Sequence, residues 1–360
     1  MSLKEKSRFL GIGCCGGKEA REFVTLGYKG NATNGSTQDL KALGDMSKFH
    51  LQGFDGFGGH RERALDCLAQ NTDFMDFIQN IEEEIVFVLF GGGGSTGSGC
   101  ATIISEMLLE DRDEEGRPKK IVCPVISLPS SDEAIIKHRN AYQAVQELQE
   151  LQDLGVGATF FINNDTSKDY GYINGTFAKL LDTFLANNSY SDLNNFDESE
   201  RLEMLRDGGA MVLSLVGGDK EKSVMIEKLT KDGIFAPIER NGVCENICII
   251  HAGNNDKDIE KSVVISEVGK PKNVFEGYNN GKSTLIAVSG LDYPVSHVSK
   301  LGELAQNAYE ERQRNKKQSA QKLGNLSFME DDTPKSNMQS NMQEKKAPTK
   351  LDMLRKRMGK

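Results

Sequence analysis

No apolar run in this 360-residue chain approaches the roughly 18 residues that a membrane span requires. The opening, MSLKEKSRFLGIG, has basic residues but neither a long apolar core nor a small-residue cleavage site, so export is not expected. Seven cysteines are scattered, with Cys14 and Cys15 adjacent and the others far apart. They show no zinc-ligand spacing and no disulfide framework, and reduced thiols in a cytoplasmic setting are the expectation. No internal repeat is visible. What is present is 38% hydrophobic and 27% charged residues, enough for two domains with real cores.

The net charge of −9 is unevenly spread. Residues 312–360 hold 13 Lys/Arg against 5 Asp/Glu, a balance of +8, which leaves −17 on the rest. An acidic body suits its own kind or a nucleotide, while a basic tail suits something acidic. Direct DNA binding by the body and direct membrane contact are not expected.

Short apolar, β-rich runs at 9–12, 85–90, 121–128 and 158–162 alternate with helix-like stretches. Residues 61–81 carry Leu65, Leu68, Phe77, Ile78 and Ile81 on one stripe, and 132–154 repeat the pattern before a stop at Gly155. The alternation predicts βαβ units around a parallel sheet. Beyond residue 186 the texture changes to a polar, turn-rich stretch and a short helix. Strands at 211–216, 246–251 and 283–289 follow, then a helix over 295–317. Residues 323–347 are rich in Ser, Asn, Gln, Met and Lys and read as disordered.

Two glycine loops carry the chemistry. The first is Gly11-Ile-Gly13-Cys14-Cys15-Gly16-Gly17-Lys18, where bare backbone N–H groups and a helix N-terminus suit a phosphate. Alone it is also G-x-G-x-x-G, the dinucleotide fingerprint, which wants an acidic residue about 20 positions on. The corresponding stretch is polar and Asp39 comes late, which counts against an NAD-dependent oxidoreductase. The second loop, Gly91-Gly-Gly93-Gly94-Ser95-Thr96-Gly97-Ser98-Gly99, follows a strand and precedes a helix. A turn needs one or two glycines, whereas this many exposed N–H groups with two hydroxyls suit a polyphosphate. A third candidate, Gly277-Tyr-Asn-Asn-Gly281-Lys282-Ser283, falls one residue short of a Walker A loop, leads into a strand and reads as a hairpin turn.

Residues 93–99 resemble G-G-G-T-G-S-G, the signature of the tubulin/FtsZ superfamily, departing only at Ser95. The resemblance spans about residues 8–310. It implies a Rossmann-like parallel-sheet GTPase domain over 1–186 with a central helix from about 170. A smaller mixed α/β activation domain over 187–294, a C-terminal helix over 295–322 and a disordered basic tail over 323–360 follow. It implies GTP/GDP and Mg2+ as cofactors, held by Gly13, Cys14, Cys15, Gly16, Lys18, Gly93, Gly94, Ser95, Thr96, Gly97 and Ser98. Asn34 matches the second loop best, although the family aspartate there has no clear counterpart. Gly58 and Gly59 fall in the third loop, which senses the γ-phosphate, and residues 127–133 fall where the fifth loop reaches the sugar.

Asn164 ends a strand where the family reads guanine. Tyr170 and Asn174, four apart on one helical face, match the aromatic that stacks on the base and the amide that bonds its edge. The same pair also fits a helix-start aromatic and a solvent-facing amide. Asn195-Phe-Asp197-Glu-Ser-Glu200 resembles the loop that completes the neighbouring subunit's active site, making Asn195, Asp197 and Glu200 the catalytic candidates. Asn195 as a helix N-cap, with acids favouring the dipole, explains the same residues. The metal ligands are left open.

The resemblance further implies head-to-tail filaments and assembly-linked hydrolysis. The apolar C-terminal adaptor peptide usual in FtsZ is missing, which makes an FtsZ-like division protein the lesser reading. The TubZ branch, which moves plasmid or phage DNA through an adaptor bound by the tail, is the better match. In the tail, Leu351, Leu354 and Met358 would form an apolar stripe flanked by Lys and Arg in a helix formed on binding.

Overall fold

The computed structural model describes residues 2–186, 196–239, 242–253, 258–319 and 350–358. A one-turn helix, α1 (Leu3–Lys6), leads into β1 (Ser7–Ile12), α2 (Gly13–Thr25), β2 (Lys29–Asn34), α3 (Thr37–Lys41) and β3 (Ser47–His50). Then come α4 (Ala64–Gln70), α5 (Thr72–Gln79), β4 (Ile85–Gly91), α6 (Ser95–Leu108), β5 (Ile121–Leu128), α7 (Ile135–Glu150) and β6 (Phe160–Asn163). The six strands form one parallel sheet in the order β3-β2-β1-β4-β5-β6. β5 is buried at every position and β4 at all but its last, as a sheet covered on both faces requires. Strand order reverses between β1 and β4, and such a switch point opens a crevice at the carboxyl ends of the strands.

The chain continues through α8 (Tyr170–Leu185), α9 (Glu198–Arg206), β7 (Ala210–Gly217), α10 (Lys222–Thr230), β8 (Asn246–Ala252), α11 (Lys261–Val268), β9 (Asn273–Asn279) and β10 (Ser283–Leu291). Helices α12 (Val295–Ser319) and α13 (Lys350–Met358) follow. Strands β7-β10-β8-β9 make a mixed sheet in which β10 is antiparallel to β7 and β8, while β8 and β9 are parallel. Helix α8 buries Ile173, Phe177, Leu181 and Phe184. The Phe177 ring lies edge-on to Phe23 of α2 and Phe160 of β6 at 5.6 Å each, and to Phe235 beyond α10 at 6.1 Å. This aromatic hub ties α8 to the first sheet and to the segment that follows.

The expected α/β architecture is present, with differences that have local causes. Strands β2, β3 and β9 were not expected, because they are polar or half-buried rather than apolar runs. The single helix expected over 61–81 is a 3-10 turn (Arg61–Arg63) followed by α4 and α5, broken at Asn71. The Asn71 amide donates to the Cys67 carbonyl at 2.7 Å and accepts from the Gln52 backbone N–H at 2.7 Å, so it fastens the break to a neighbouring loop. Residues 277–283 are no hairpin, since β8 lies between β9 and β10. The disordered stretch expected over 323–347 lies outside the described residues. The tail reading is revised for α13, which is helical and has Leu351 and Leu354 buried against the body.

Arg201 of α9 is wholly buried. Its Nε donates to the Phe184 carbonyl at 2.8 Å, its Nη1 donates to the Phe196 carbonyl, and its guanidinium lies 4.2 Å from the centroid of the Phe196 ring. One side chain thus closes the C-terminal turn of α8 and fixes the entry to α9. Arg201→Met should strand both carbonyls and lower stability by about 2–4 kcal/mol, read as a lower urea midpoint with an unchanged m value.

Candidate nucleotide site

Helix α2 starts directly from β1 and helix α6 after the three residues beyond β4, on either side of the switch point. Neither start has a side-chain cap: the N-cap positions are Ile12 and Gly94. Two helix N-termini therefore present their first N–H donors without an internal partner, with the positive ends of two helix dipoles behind them. They meet closely, because a Cβ on Gly13 would stand 3.1 Å from the Gly97 nitrogen. Both open into one cavity of about 530 Å3, within the range of small-molecule sites.

The first loop gives the cavity Gly13, Cys14, Cys15 and Lys18, and the second glycine loop gives Gly91 and Gly93 through Gly97. Asn34, Ser36 and Asp39 line one wall, with Gly56, Phe57 and Gly58 beside them. Asn164, Tyr170 and Asn174 also line it. Asn174 is buried and Tyr170 half-exposed at the start of α8, whose N-cap Asp169 accepts from the Tyr172 N–H at 3.1 Å. The helix-start role and the cavity-lining role of Tyr170 therefore coexist.

Residues 8–170 match the Tubulin/FtsZ family, GTPase domain. The tubulin-like protein TubZ of Clostridium botulinum C phage is 25% identical over 353 residues, covering 95% of this chain and 94% of that protein. Over residues 8–170 the chain is therefore similar to the tubulin/FtsZ GTPase domain. Among solved structures, the tail-truncated TubZ of Clostridium botulinum phage c-st superposes with a TM-score of 0.73 at 23% identity, over 86% of this chain and 99% of that one. A GTPγS-form protofilament of TubZ from Bacillus thuringiensis serovar israelensis gives 0.71 at 16% identity, over 89% and 96%. The resemblance to the TubZ branch rests on these matches, and the dinucleotide reading gives way to them.

Within this tubulin-like frame three expected residues sit behind the cavity instead of lining it. Gly16 is bare for packing, since a Cβ there would lie 1.9 Å from the Leu89 carbonyl oxygen. Ser98 is wholly buried and its carbonyl accepts from Arg61. Gly59 lends its carbonyl to Asn140 of α7, whose amide donates to Gly59 at 3.2 Å and to Gly93 at 3.3 Å. Asn140 thereby ties the third loop to the second glycine loop. Nothing in a helical pattern marks such a residue.

Asp39, too late for the dinucleotide pattern, reaches the cavity because α3 turns it back. Ser36 caps α3 by accepting from the Asp39 N–H at 3.3 Å, and the Asn34 amide donates to the Asp39 carboxylate at 3.0 Å. Glu133 and Lys137 also line the cavity, and the Tyr170 hydroxyl donates to Glu133 at 3.5 Å. No cluster of three or more potential metal-ligating residues occurs among the described residues. The Asp39–Asn34 pair fits Mg2+ held through one carboxylate and the phosphates of a nucleotide.

Of the catalytic candidates, Asn195 lies outside the described residues. Asp197 and not Asn195 is the N-cap of α9, in a reciprocal capping box. The Glu200 N–H donates to Asp197 Oδ1 at 3.0 Å and the Asp197 N–H donates to Glu200 Oε2 at 2.9 Å. Neither acid lines the cavity of its own chain.

Beneath the first loop, Glu19 is wholly buried and accepts from the Ser127 hydroxyl and from Cys15 Sγ at 3.5 Å, while its Oε2 has no partner. Burial raises its pKa to about 7, more than the Ser127 and Cys15 bonds lower it. The linked stability is whole below the unfolded value of 4.5 and is lost as pH rises through about 7. Glu19→Gln, neutral throughout, should remove that loss, on the order of 3 kcal/mol. Thermal melts should then show the variant more stable than wild type above pH 7, the gap closing below pH 4.5.

Proposed function

We propose that this chain is a GTP-dependent, filament-forming cytomotive GTPase of the TubZ type, acting in the cytoplasm. It segregates plasmid or phage DNA through an adaptor bound by its basic tail. The observation that carries the reading is the cavity, where two uncapped helix starts face a polyphosphate-sized space and an aromatic with two amides lines it. In this reading the phosphates lie against Gly13–Cys15 and Gly93–Gly97, with Lys18 and the Ser95 and Thr96 hydroxyls adding donors. Gly58 stands at the γ-phosphate, with Gly59 behind it held by Asn140. Asp39, beside Asn34, would hold Mg2+, which when bound would supply charge to offset that of the phosphates. The base stacks on Tyr170 and is read by Asn164 and Asn174.

Residues 1–186 are then the nucleotide domain and 187–294 the activation domain, followed by the C-terminal helix α12. Assembly is head to tail, a heterologous contact that leaves open ends for growth. Protofilaments of the Bacillus TubZ relative support it. Docking brings Asp197 and Glu200 of one subunit to the cavity of the next. The capping box fixes Glu200 through Oε2, which leaves Oε1 outside the box to accept a hydrogen bond from the attacking water. Water adds at the γ-phosphorus as the bond to the β-bridging oxygen breaks, giving GDP and phosphate.

A site that bonds guanine leaves buried groups unpaired against adenine, so GTP should outcompete ATP by orders of magnitude in a displacement titration. Equal affinities would refute the guanine assignment. Glu200→Ala should bind GTP normally and polymerise, with phosphate release per assembled subunit reduced about 10^2-fold or more. Wild-type release would leave the acids as helix-start residues only.

A further inference from the structure

The apolar stripe of the C-terminal helix already has a seat. Helix α13 packs across α4 and α6, with Leu351 and Leu354 buried and Met358 partly buried against the core. Around this strip three basic side chains meet acids from three separate places: Lys350 with Glu147 of α7, Arg355 with Glu110 just beyond α6, and Arg357 with Asp66 of α4. The residues that would make the tail a ligand for an acidic, apolar partner are thus spent on the chain's own body.

We propose that the α4–α6 face is a receptor for this basic amphipathic helix, occupied in cis, and that any partner of the tail must displace the helix from it. Three features argue for this. Apolar burial and charge complementarity coincide on one face, which sets it apart from a solvated basic tail resting on an acidic body. The helix is joined covalently to its own body, so its contact there is intramolecular and another copy must compete with it. The seat also touches the nucleotide machinery. Glu147 accepts from Lys350 and, at 2.9 and 2.7 Å, from Arg61, which also donates to the Ser98 carbonyl in the first turn of α6. The seating of the helix itself needs neither GTP nor an adaptor, and stands if the GTPase reading fails.

The test uses the full-length chain and a fluorescent peptide of residues 346–360. A full-length Leu351→Asp/Leu354→Asp variant, its tail unseated and its body checked by cooperative melting, should bind the peptide. The wild-type chain should bind it about tenfold or more weakly, because its face is occupied. Adding Asp66→Lys to the variant should weaken binding, and an Arg357→Asp peptide should restore it, which a diffuse attraction between basic and acidic surfaces would not do. In the wild type, amide-exchange protection of α4 should be independent of chain concentration and should drop in the double variant. Equal peptide binding to both chains, binding to neither, or failure of the charge swap overturns the receptor. Protection that rises with chain concentration assigns the helix to a second copy and overturns the cis seating.

Discussion

A Cβ on Gly16 would stand 1.9 Å from the Leu89 carbonyl oxygen, so α2 can begin where it does only because that position is bare. The same holds at Gly99, where a Cβ would come within 2.7 Å of the Arg61 carbonyl oxygen. These contacts bring α2 down onto β4 and bring α6 against the turn that carries Arg61. The two helix starts thereby converge at the reversal of strand order, and their first N–H groups share one space. Side chains of any size would separate the helices, and the donors would face different directions. The cavity, its two uncapped helix starts and its place at the carboxyl ends of the central strands all follow from this backbone approach.

Glycine brings the loops together but does not hold them, and the holding falls to a few buried polar side chains. Asn140 reaches from α7 to the carbonyls of Gly59 and Gly93. The Arg61–Glu147 pair joins the exit of the third loop to α7, and the Thr102 hydroxyl of α6 donates to the same carboxylate at 2.8 Å. Arg201 does the corresponding work at the far end of α8. The Asn140 and Arg201 ties answer backbone carbonyls, and burial makes each tie costly to lose. Loops held in this way can respond to a ligand as a unit, because Asn140 contacts two of them at once.

What could be read from residue types was whatever the backbone or the core demanded of many residues together. The apolar runs of β4 and β5 announce a sheet covered on both faces, and the glycines of residues 91–99 announce a backbone that must approach something closely. Strands β2 and β9 escape such reading because their backbones pair while their side chains are polar or half-exposed and form no apolar run. Asp39 escapes it because its place depends on one Ser36 cap. Asn140, Arg61 and Glu147 escape for another reason: each is a single polar residue in a helical stretch, and its partners lie 37 to 203 positions away. The apolar stripe of α13 is plain in the sequence, but nothing in the stripe says that its partner is the same chain.

The chemistry of Glu147 explains how such a helix can be seated without locking the body. Burial pushes its carboxyl pKa up, yet Arg61 and Lys350 together outweigh that and hold it below the ordinary value. Removing one partner from a buried ion pair is normally expensive, because the remaining charge is stranded. Here Arg61 grips both carboxylate oxygens and Thr102 adds a third donor, so the departure of Lys350 strands nothing. Arg355 and Arg357 pair at half-exposed positions, where water replaces a lost partner at little cost. What resists release is therefore chiefly the burial of Leu351 and Leu354. A partner offering an apolar face of similar area and acids of its own recovers that term, and the exchange leaves the nucleotide loops intact.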